Sequence, residues 1–579
     1  MIRSIRVDDF TGGLNLDSNS FRVGSNESGD LLNVDLNPKG GVSSRWGFRR
    51  SHTTAIGGFT TATFIPAGLF AWNGLTKRLM LASNNGVYWS YGRTTADNFT
   101  NLSLATNSEA GADFANWDRE DDSVLYIARG TNTSYKWLGT GAATALTASG
   151  GVAGLTEWQD DLAVNTGTHC PKASFVATHA ERLWVAGVTE GAATYPNRVR
   201  FSHPLFPESW RKLDFIDIPA GGDKITAIVP FGGHLLVFKK QSTWAIYGYN
   251  EDTFQVVQLS GSVGAMSLRS VAVSDSKVYF YGNPDGLFVY DGSSVQDLFV
   301  NLRPLKVGAE INEEAVGAVT VGWCNRRLYL SLPTGADPST VADWDEVGLA
   351  FDSPLTKWDG GVRATNPTLM FVYDEQVGKG AWTVYQGSDR YGLMTPLDFI
   401  DDNGMTHYVA VHPKQPYIYN VDTRSTLPSE NHQDYMDGTA TNFNSYYVTS
   451  WQDASSVASK KFWRRPEFVL RRESTDTDLV IKVYQDWDSV TPVKTFEVHS
   501  DGLATPSVGW QSFLEPDFGS VHEKGGSLGR ARAVALKIVN KSGWENDPLP
   551  SEPVPTTPAA LGWGMYSLTY KYNPRGTGF

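Results

Sequence analysis

Cysteine is nearly absent from this chain, whose 579 residues include only Cys170 and Cys324. Two cysteines cannot build the disulfide framework of a small secreted protein, and neither belongs to a C-x-x-C pair of the kind that thiolate zinc sites use. Residues 1–6 contain no apolar segment and no small-residue cleavage site, so no secretory signal is expected there. These features predict a protein that is made and folded in a reducing cytoplasm.

Long apolar runs and helical periodicity are also missing. No run approaches the roughly 18 apolar residues of a membrane-spanning helix, and no long window repeats apolar residues at i, i+3, i+4 and i+7 without an interrupting Gly or Pro. Charged residues make up only 19% of the chain, and the net charge is −13. These features argue against a membrane-spanning segment, a helical bundle and a coiled coil. An acidic chain is also poorly suited to wrapping nucleic acid with its whole surface.

What the sequence does contain favours β-structure. Its 57 glycines and its 12% of aromatic residues are typical of short strands joined by tight turns. A strand, a Gly/Asn/Asp turn and a second strand rich in aromatic residues recur along the chain. The first strands are residues 78–82, 123–128, 182–186, 234–238, 277–281 and 327–332, and their partners are residues 86–92, 134–139, 199–204, 243–248, 287–292 and 348–353.

A two-stranded hairpin cannot bury its face alone, so a ring of such units around one core is the simplest arrangement for the repeat. The interval from residue 199 to 243 equals that from 243 to 287, and both lie in the range of propeller blades. Residues 382–385 and 417–419 continue the pattern. The sequence therefore predicts an all-β protein with a β-propeller of about six to eight blades over residues 51–430. A large antiparallel sandwich built from the same hairpins is the alternative.

The composition changes near residue 424, where a polar stretch over residues 422–438 reads as a linker. Longer strands with alternating apolar residues follow at 462–470, 479–484, 533–539 and 565–572. Alternation with polar loops is typical of a compact β-sandwich, and the Pro-rich residues 548–558 form a loop within it. We expect a C-terminal β-sandwich domain over residues 431–579.

Sequence patterns for catalysis and metal binding are weak. Residues 525–529 match G-x-S-x-G, but no buried strand and helix flank the serine as a nucleophile elbow requires. His169 and Cys170 are adjacent, so on an extended chain they point to opposite sides. The stretch from Asp401 to Asn403 fits either a calcium loop or an ordinary turn, and the turn is preferred. The sequence predicts no enzyme, no cofactor and no metal.

A basic group stands out from the acidic background around Trp463. On a strand, these side chains point to both faces and can line an edge or an interface. They predict contact with a partner subunit or with DNA, although edge charges that block strand pairing are an equal alternative. The candidates are Lys460, Lys461, Arg464, Arg465, Arg471 and Arg472.

The N-terminal segment carries the most specific pattern. It reads F-x-G-G-L-N from Phe10, then N-E-S-x-D-L-L-N-V-D from residue 26, and then P-x-G-G-V-x-x-R-x-G from residue 38. This pattern resembles the start of tail proteins of double-stranded DNA bacteriophages, including propeller-type nozzle or tail-tip proteins and minor tail proteins. Residues 201–210 and 562–575 look similar to the same family. The motif positions are Phe10, Gly12, Gly13, Asn15, Asn33, Asp35 and Arg45.

The motif also has a direct physical interpretation. Gly12 and Gly13 permit a sharp turn after an edge strand at residues 5–10, and Asn33 and Asp35 are able to bond their own backbone in turns. Residues 1–50 are then an arm that closes or anchors the propeller by completing its last blade. We expect a chain without these residues to fold poorly.

The resemblance implies a structural virion protein of a phage tail, made in the host bacterial cytoplasm. Its subunits would form a closed cyclic ring, because an open heterologous contact gives fibres. The ring would line or close the DNA channel at a tail tip or nozzle, contact other tail proteins and let DNA pass without sequence-specific binding. The alternative is a propeller that binds a host surface glycan, the receptor, through exposed tryptophans.

Overall fold

The computed structural model describes most of the chain. The residues that it leaves undescribed are 1, 19–21, 60–63, 85, 105–111, 119–122, 147–169, 212, 220, 283–285, 308–309, 341–361, 378–380, 423–431, 437, 465, 473–478, 489–490, 499–527, 541–562 and 575–579.

Seven four-stranded units, which we call blades 1 to 7, follow one another along the described chain. Within each blade, neighbouring strands are antiparallel. Blade 1 comprises Pro66–Asn73, Lys77–Ser83, Gly86–Ser90 and Thr100–Asn101. Blade 2 comprises Asp113–Asp118, Ser123–Ala128, Tyr135–Trp137 and Thr144–Ala145. Blade 3 comprises Lys172–His179, Arg182–Glu190, Ala193–Phe201 and Phe215–Asp217. Those of blades 4 and 5 are Ile225–Phe231, His234–Lys239, Thr243–Tyr247, Gln255–Ser260; and Val271–Val273, Val278–Gly282, Gly286–Tyr290, Val295–Asp297.

Blades 6 and 7 share one eight-stranded sheet, which closes the ring. Blade 6 comprises Thr320–Cys324, Arg327–Leu332, Leu369–Asp374 and Trp382–Tyr385; blade 7 comprises Met394–Ile400, Thr406–Val411, Ile418–Asn420 and Arg49–Arg50. The first strands of these two blades run parallel, with Trp323 opposite Leu397. The first strand of blade 7 packs against that of blade 1. The seven blades therefore form a closed β-propeller, as predicted.

The predicted hairpins correspond to the second and third strands of the blades. Blades 1 to 5 match the expected pairs. In blade 6 the second strand pairs with Leu369–Asp374, whereas the expected partner, residues 348–353, lies outside the described residues. The predicted segments at 382–385 and 417–419 fall in the fourth strand of blade 6 and the third strand of blade 7.

A second unit contains two sheets built from both ends of the chain. One sheet orders Gly529–Ala531, Lys461–Trp463, Trp563–Asn573, Val42–Ser44 and Val34–Leu36, with Arg3–Val7 and Glu467–Arg472 also paired to Trp563–Asn573. The other orders Leu31–Leu32, Tyr446–Val448, Val534–Asn540, Leu479–Gln485 and Lys494–Val498. Side chains of both sheets share one buried cluster with blades 5 and 6, so the sandwich packs directly on the propeller.

The remaining strands and helices of the described chain are short. They are the strand pairs Gly13–Leu14 with Glu27–Ser28 and Gln433–Asp434 with Thr441–Asn442, the α-helix Pro304–Val307, and the 3-10 turns Ile56–Gly58, Leu268–Ser270, Val300–Leu302, Glu313–Ala318 and Pro338–Thr340. Among the described residues, no helix has the length and apolar character needed to cross a membrane.

The N-terminal segment differs in one respect from expectation. The edge strand expected at residues 5–10 is observed at Arg3–Val7, and it pairs with Trp563–Asn573 of the sandwich instead of the last blade. Blade 7 is completed by Arg49–Arg50, which pairs with Ile418–Asn420. The physical reason lies in Phe10, which is buried edge-on against Tyr447 of the sandwich and holds the start of the chain there.

Candidate functional site

Arg45 lies at the centre of a buried junction between the N-terminal segment, blade 6 and the start of the C-terminal region. Its side chain is 1% exposed, and both terminal nitrogens donate to Asp434, at 2.9 and 2.8 Å. This is a bidentate pair, the geometry in which a guanidinium and a carboxylate match best. It joins positions 389 residues apart in the chain.

The remaining guanidinium hydrogens also have acceptors. The Nε atom of Arg45 donates to Asn33 Oδ1 at 2.8 Å, and Nη1 and Nη2 donate to the carbonyls of Trp46 and Gln386 at 2.8 and 2.7 Å. The guanidinium lies 3.9 Å from the ring centre of Phe48 and 3.8 Å from that of Phe443. All five N–H groups are thus satisfied, which offsets much of the cost of burying the charge.

Asp434 is equally well satisfied. Besides the guanidinium, its carboxylate accepts from the backbone N–H of Phe48 and of Ser388, each at 2.8 Å. Phe48 precedes the strand that completes blade 7, and Ser388 follows the last strand of blade 6. A single buried carboxylate therefore holds the N-terminal segment against two neighbouring blades.

Asn33 connects the same three parts of the molecule through its backbone and its amide. Its φ is +53°, a left-handed conformation that Asn adopts more readily than most residues. Its N–H donates to Val384 O and its Nδ2 to Asn444 O, both at 2.7 Å, while its Oδ1 accepts from Gln386 N at 2.8 Å. Asn33 therefore acts as a link between domains, not in its own turn as the sequence suggested.

Asp35 also makes long-range contacts. It accepts from Arg327 Nη1 at 2.8 Å and from the hydroxyl of Tyr385, and Arg327 bonds Asp374 at 3.0 Å as well. Burial, together with the Asp35 charge, raises the pKa of Tyr385 well above its ordinary value. The hydroxyl therefore stays protonated and remains a donor to the carboxylate.

The glycines and the asparagine at the start of the motif shape a tight loop against blade 6. Gly13 has φ +66°, and a Cβ there would lie 2.7 Å from backbone atoms of Trp382. At Gly12 a Cβ would lie 2.8 Å from Asn26 O. Asn15 donates from Nδ2 to Glu27 at 2.9 Å, inside the same loop. Gly13 is needed where the loop meets the blade, and Gly12 where the two sides of the loop approach each other.

The predicted basic group does not form one surface. Lys461 is 2% exposed and donates to the carbonyls of Ser456 and Arg532. The prediction that Lys461 lies at an interface is therefore wrong. Strand alternation turns this side chain inward, whereas Lys460 and Arg464 are exposed. Arg471 and Arg472 lie on Glu467–Arg472, opposite Gly564 and Trp563; their side chains and all of Arg465 lie outside the described residues.

Where the structure describes them, the segments with weak catalytic or metal-binding patterns have structural roles. Asp401 Oδ1 accepts from the N–H of Asn403 and of Met405 at 2.8 and 2.9 Å, so its carboxylate closes a turn. Cys170 is buried, and burial raises its thiol pKa to about 12. His169 and most of the G-x-S-x-G stretch lie outside the described residues. Among those described, no three His, Cys, Asp or Glu side chains form a group that could hold a metal ion.

His52 and Glu208 are structural residues that sequence reasoning missed. His52 donates from Nδ1 to Thr54 O at 2.8 Å and accepts at Nε2 from Ile418 N at 3.0 Å, beside the strand that closes the ring. Glu208, in the 201–210 segment, accepts from Lys136 at 2.7 Å and from Tyr126 at 2.9 Å, which ties blade 3 to blade 2. Both act over distances in sequence that no local pattern reveals.

The buried His52 predicts a loss of stability in mild acid. Burial lowers the pKa of His52 to about 4 from 6.5, so the unfolded chain binds a proton more readily and stability falls as pH drops from about 6.5 to about 4. At about 1.4 kcal/mol per pKa unit, the expected loss is about 2–3 kcal/mol. His52→Gln should weaken this dependence, as measured by denaturant unfolding at pH 7.0, 5.5 and 4.5. Equal pH dependence in both proteins would contradict the assignment.

Comparison with known proteins finds only solved structures of low similarity. No protein-family model matches it, and no curated protein matches it. The extracellular domain of a hybrid two component system from B. thetaiotaomicron matches 73% of this chain at 9% identity and a TM-score of 0.36, and the match covers 43% of that domain. BamB from Moraxella catarrhalis matches 74% of this chain and 100% of its own at 8% identity and a TM-score of 0.31. The Pan2 WD40 domain from Neurospora crassa matches 66% of this chain, and the match covers 96% of that domain at 8% identity and a TM-score of 0.34.

Proposed function

We propose that this chain is a structural protein of a bacteriophage tail. In this proposal several copies form a ring at the tail tip or nozzle, the ring lines or closes the DNA channel, and it contacts neighbouring tail proteins. DNA passes through without sequence-specific binding, and the chain performs no catalysis. The protein is made in the host bacterial cytoplasm and works in the virion.

The observation that carries the proposal is the position of the motif residues. Of the N-terminal motif residues, Gly12, Gly13 and Asn15 lie in the loop against blade 6, and Phe10 packs against Tyr447 of the sandwich. Arg45, Asn33 and Asp35 connect the N-terminal segment to blade 6, and Asn33 also connects it to the sandwich. The motif residues therefore join the parts of this molecule, which supports the proposal that the chain is built like the tail proteins it resembles.

The placement of the tryptophans favours a structural role over glycan binding. A glycan-binding propeller needs exposed aromatic faces on one side. Of the fourteen tryptophans among the described residues, none is exposed. Eight are buried: Trp72, Trp117, Trp137, Trp184, Trp210, Trp382, Trp463 and Trp563. The other six are partly buried: Trp46, Trp89, Trp244, Trp323, Trp451 and Trp487.

Electron microscopy tests the proposal directly. The purified protein is expected to form closed rings in negative stain, and gold-labelled antibodies against it should mark the tail end of virions. An antibody against a capsid protein serves as the labelling control, because it should mark heads only. A protein that stays monomeric and is absent from virions would overturn the proposal.

A further inference from the structure

Most of the described propeller turns that carry exposed apolar residues lie on one face of the propeller. Because the first strands of neighbouring blades run in the same direction, as Trp323 and Leu397 show, the turns between strands 1 and 2 and between strands 3 and 4 of every blade lie on one face. We call this the turn face. The turns between strands 2 and 3 and the connections between blades lie on the opposite face.

On blades 3 and 4 the turn face presents large apolar side chains to solvent. Leu213 is 79% exposed, Tyr249 is 74% exposed and Leu205 is 49% exposed. The turns that carry them are held together, since Glu251 accepts from Arg182 at 2.9 Å and from Arg211. Exposed apolar side chains grouped in this way are typical of an interaction surface, whereas single ones are normal.

Acidic side chains lie among these apolar ones. Glu181 and Asp252 are exposed in turns of blades 3 and 4, and Asp275 and Asp291 are exposed in turns of blade 5. The backbone of Leu205 bonds Glu181 O at 2.8 Å, which places the two residues side by side. Within the described part of the chain none of these four carboxylates has a cationic partner. These residues give the described part of the turn face of blades 3 to 5 apolar and negatively charged side chains.

The sandwich carries a complementary surface at one edge. Lys460 and Arg464 flank the strand Lys461–Trp463, and Arg530 and Arg532 lie on and beside the neighbouring edge strand, where Phe462 pairs with Arg530. All four basic side chains are exposed, and among the described residues none has an acidic partner. Val457, next to them in sequence, is 50% exposed. We call this set the basic edge.

We propose that the turn face of blades 3 to 5 in one copy binds the basic edge of the sandwich in a second copy. The inference rests on the proposed ring and names the contact that builds it. The four carboxylates of the turn face meet the four cations of the basic edge, and the apolar side chains supply the desolvated centre that a stable interface needs. The two surfaces differ, so the contact is heterologous and generates a closed ring when its rotation closes.

The charge of the turn face argues for this occupant. Phosphate backbones and anionic lipid surfaces carry the same sign as the four carboxylates and are repelled by them. A neutral glycan would leave these charges uncompensated. A second copy of the chain brings both the opposite charge and an apolar neighbour.

Charge reversal tests the contact in the full-length protein. Arg530→Glu/Arg532→Glu should raise the concentration needed for ring assembly by roughly a hundredfold, because it places like charges opposite each other. Assembly is measured by light scattering after size exclusion and by negative stain. Lys224→Glu/Lys240→Glu is the matched control: both lysines are exposed on the opposite face, the change in net charge is the same, and rings should persist.

A compensating reversal separates contact from folding. Adding Glu181→Arg/Asp252→Arg to the Arg530→Glu/Arg532→Glu variant should restore rings, which a folding defect would not allow. Rings that persist in the Arg530→Glu/Arg532→Glu variant, or loss without rescue, would overturn this contact and leave the phage tail proposal standing. A wild-type protein that never assembles and is absent from virions would overturn both.

Discussion

Replacing Arg45 by methionine is expected to lower the free energy of unfolding by about 3–5 kcal/mol. The substitution removes the guanidinium and leaves the carboxylate of Asp434, which has no exposed surface, without its bidentate partner. It also leaves Asn33 Oδ1 and Gln386 O each short of one donor. A buried charge without a partner costs far more than the pair itself contributes. Denaturant unfolding followed by tryptophan fluorescence measures the loss.

Two controls separate loss of the ion pair from loss of packing. Arg326 is exposed in a turn of blade 6, so Arg326→Met should change stability by less than about 0.5 kcal/mol. The double variant Arg45→Met/Asp434→Leu removes both charges and should recover part of the loss. A single Arg45→Met variant as stable as wild type would show that the junction does not hold the domains together.

Removing residues 1–50 is expected to prevent folding of the sandwich and to open the propeller. The deletion removes Leu31–Leu32, Val34–Leu36 and Val42–Ser44 from the two sheets and Arg49–Arg50 from blade 7. It also removes eight buried apolar side chains from the shared core: Val7, Phe10, Leu14, Leu31, Leu32, Val34, Leu36 and Val42. At about 1.5–3 kcal/mol per fully buried side chain, this loss is comparable to or larger than the whole stability of an ordinary domain.

Solubility, circular dichroism and limited proteolysis of the 51–579 chain measure this effect. A chain of residues 8–579 is the matched control, because it loses only the edge strand Arg3–Val7 and keeps Phe10 and the whole junction. It should remain folded with reduced thermal stability. Supplying residues 1–50 as a separate peptide should partly restore protease resistance to the 51–579 chain. A soluble, protease-resistant 51–579 chain that assembles normally would reject the proposed role of the arm.

The strands of a blade were predictable from the sequence to different degrees. The second and third strands of a blade have neighbours on both sides, so they are nearly continuous apolar runs, as in His234–Lys239, where every residue is buried. The outer strands Thr100–Asn101 and Thr144–Ala145 are two residues long and exposed. Nothing in their composition distinguishes them from loops. Blade number therefore followed only from the pairing of all strands.

The candidate site was also only partly predictable from the sequence. The motif residues Asn33, Asp35 and Arg45 were identified from the sequence, but their partners were not. Asp434 and Gln386 lie more than 300 residues away in the chain. Asp434 falls in the polar stretch over residues 422–438 that was interpreted as a linker, although Gln433–Asp434 forms a short strand. Lys461 was predicted to contact a partner subunit or DNA, whereas it is buried and donates to two backbone carbonyls.

By itself, the sequence determined the all-β class, the hairpin repeat of the propeller and the presence of a β-sandwich in the C-terminal region. These follow from local properties: turn residues, apolar runs and alternation act within a few positions. Only the tertiary structure decided that the ring has seven blades, that Arg49–Arg50 completes the last one, and that the sandwich takes strands from both ends of the chain. Those outcomes depend on pairing between distant strands and on one buried ion pair. Such contacts join residues far apart in the sequence, so they form only when the chain folds.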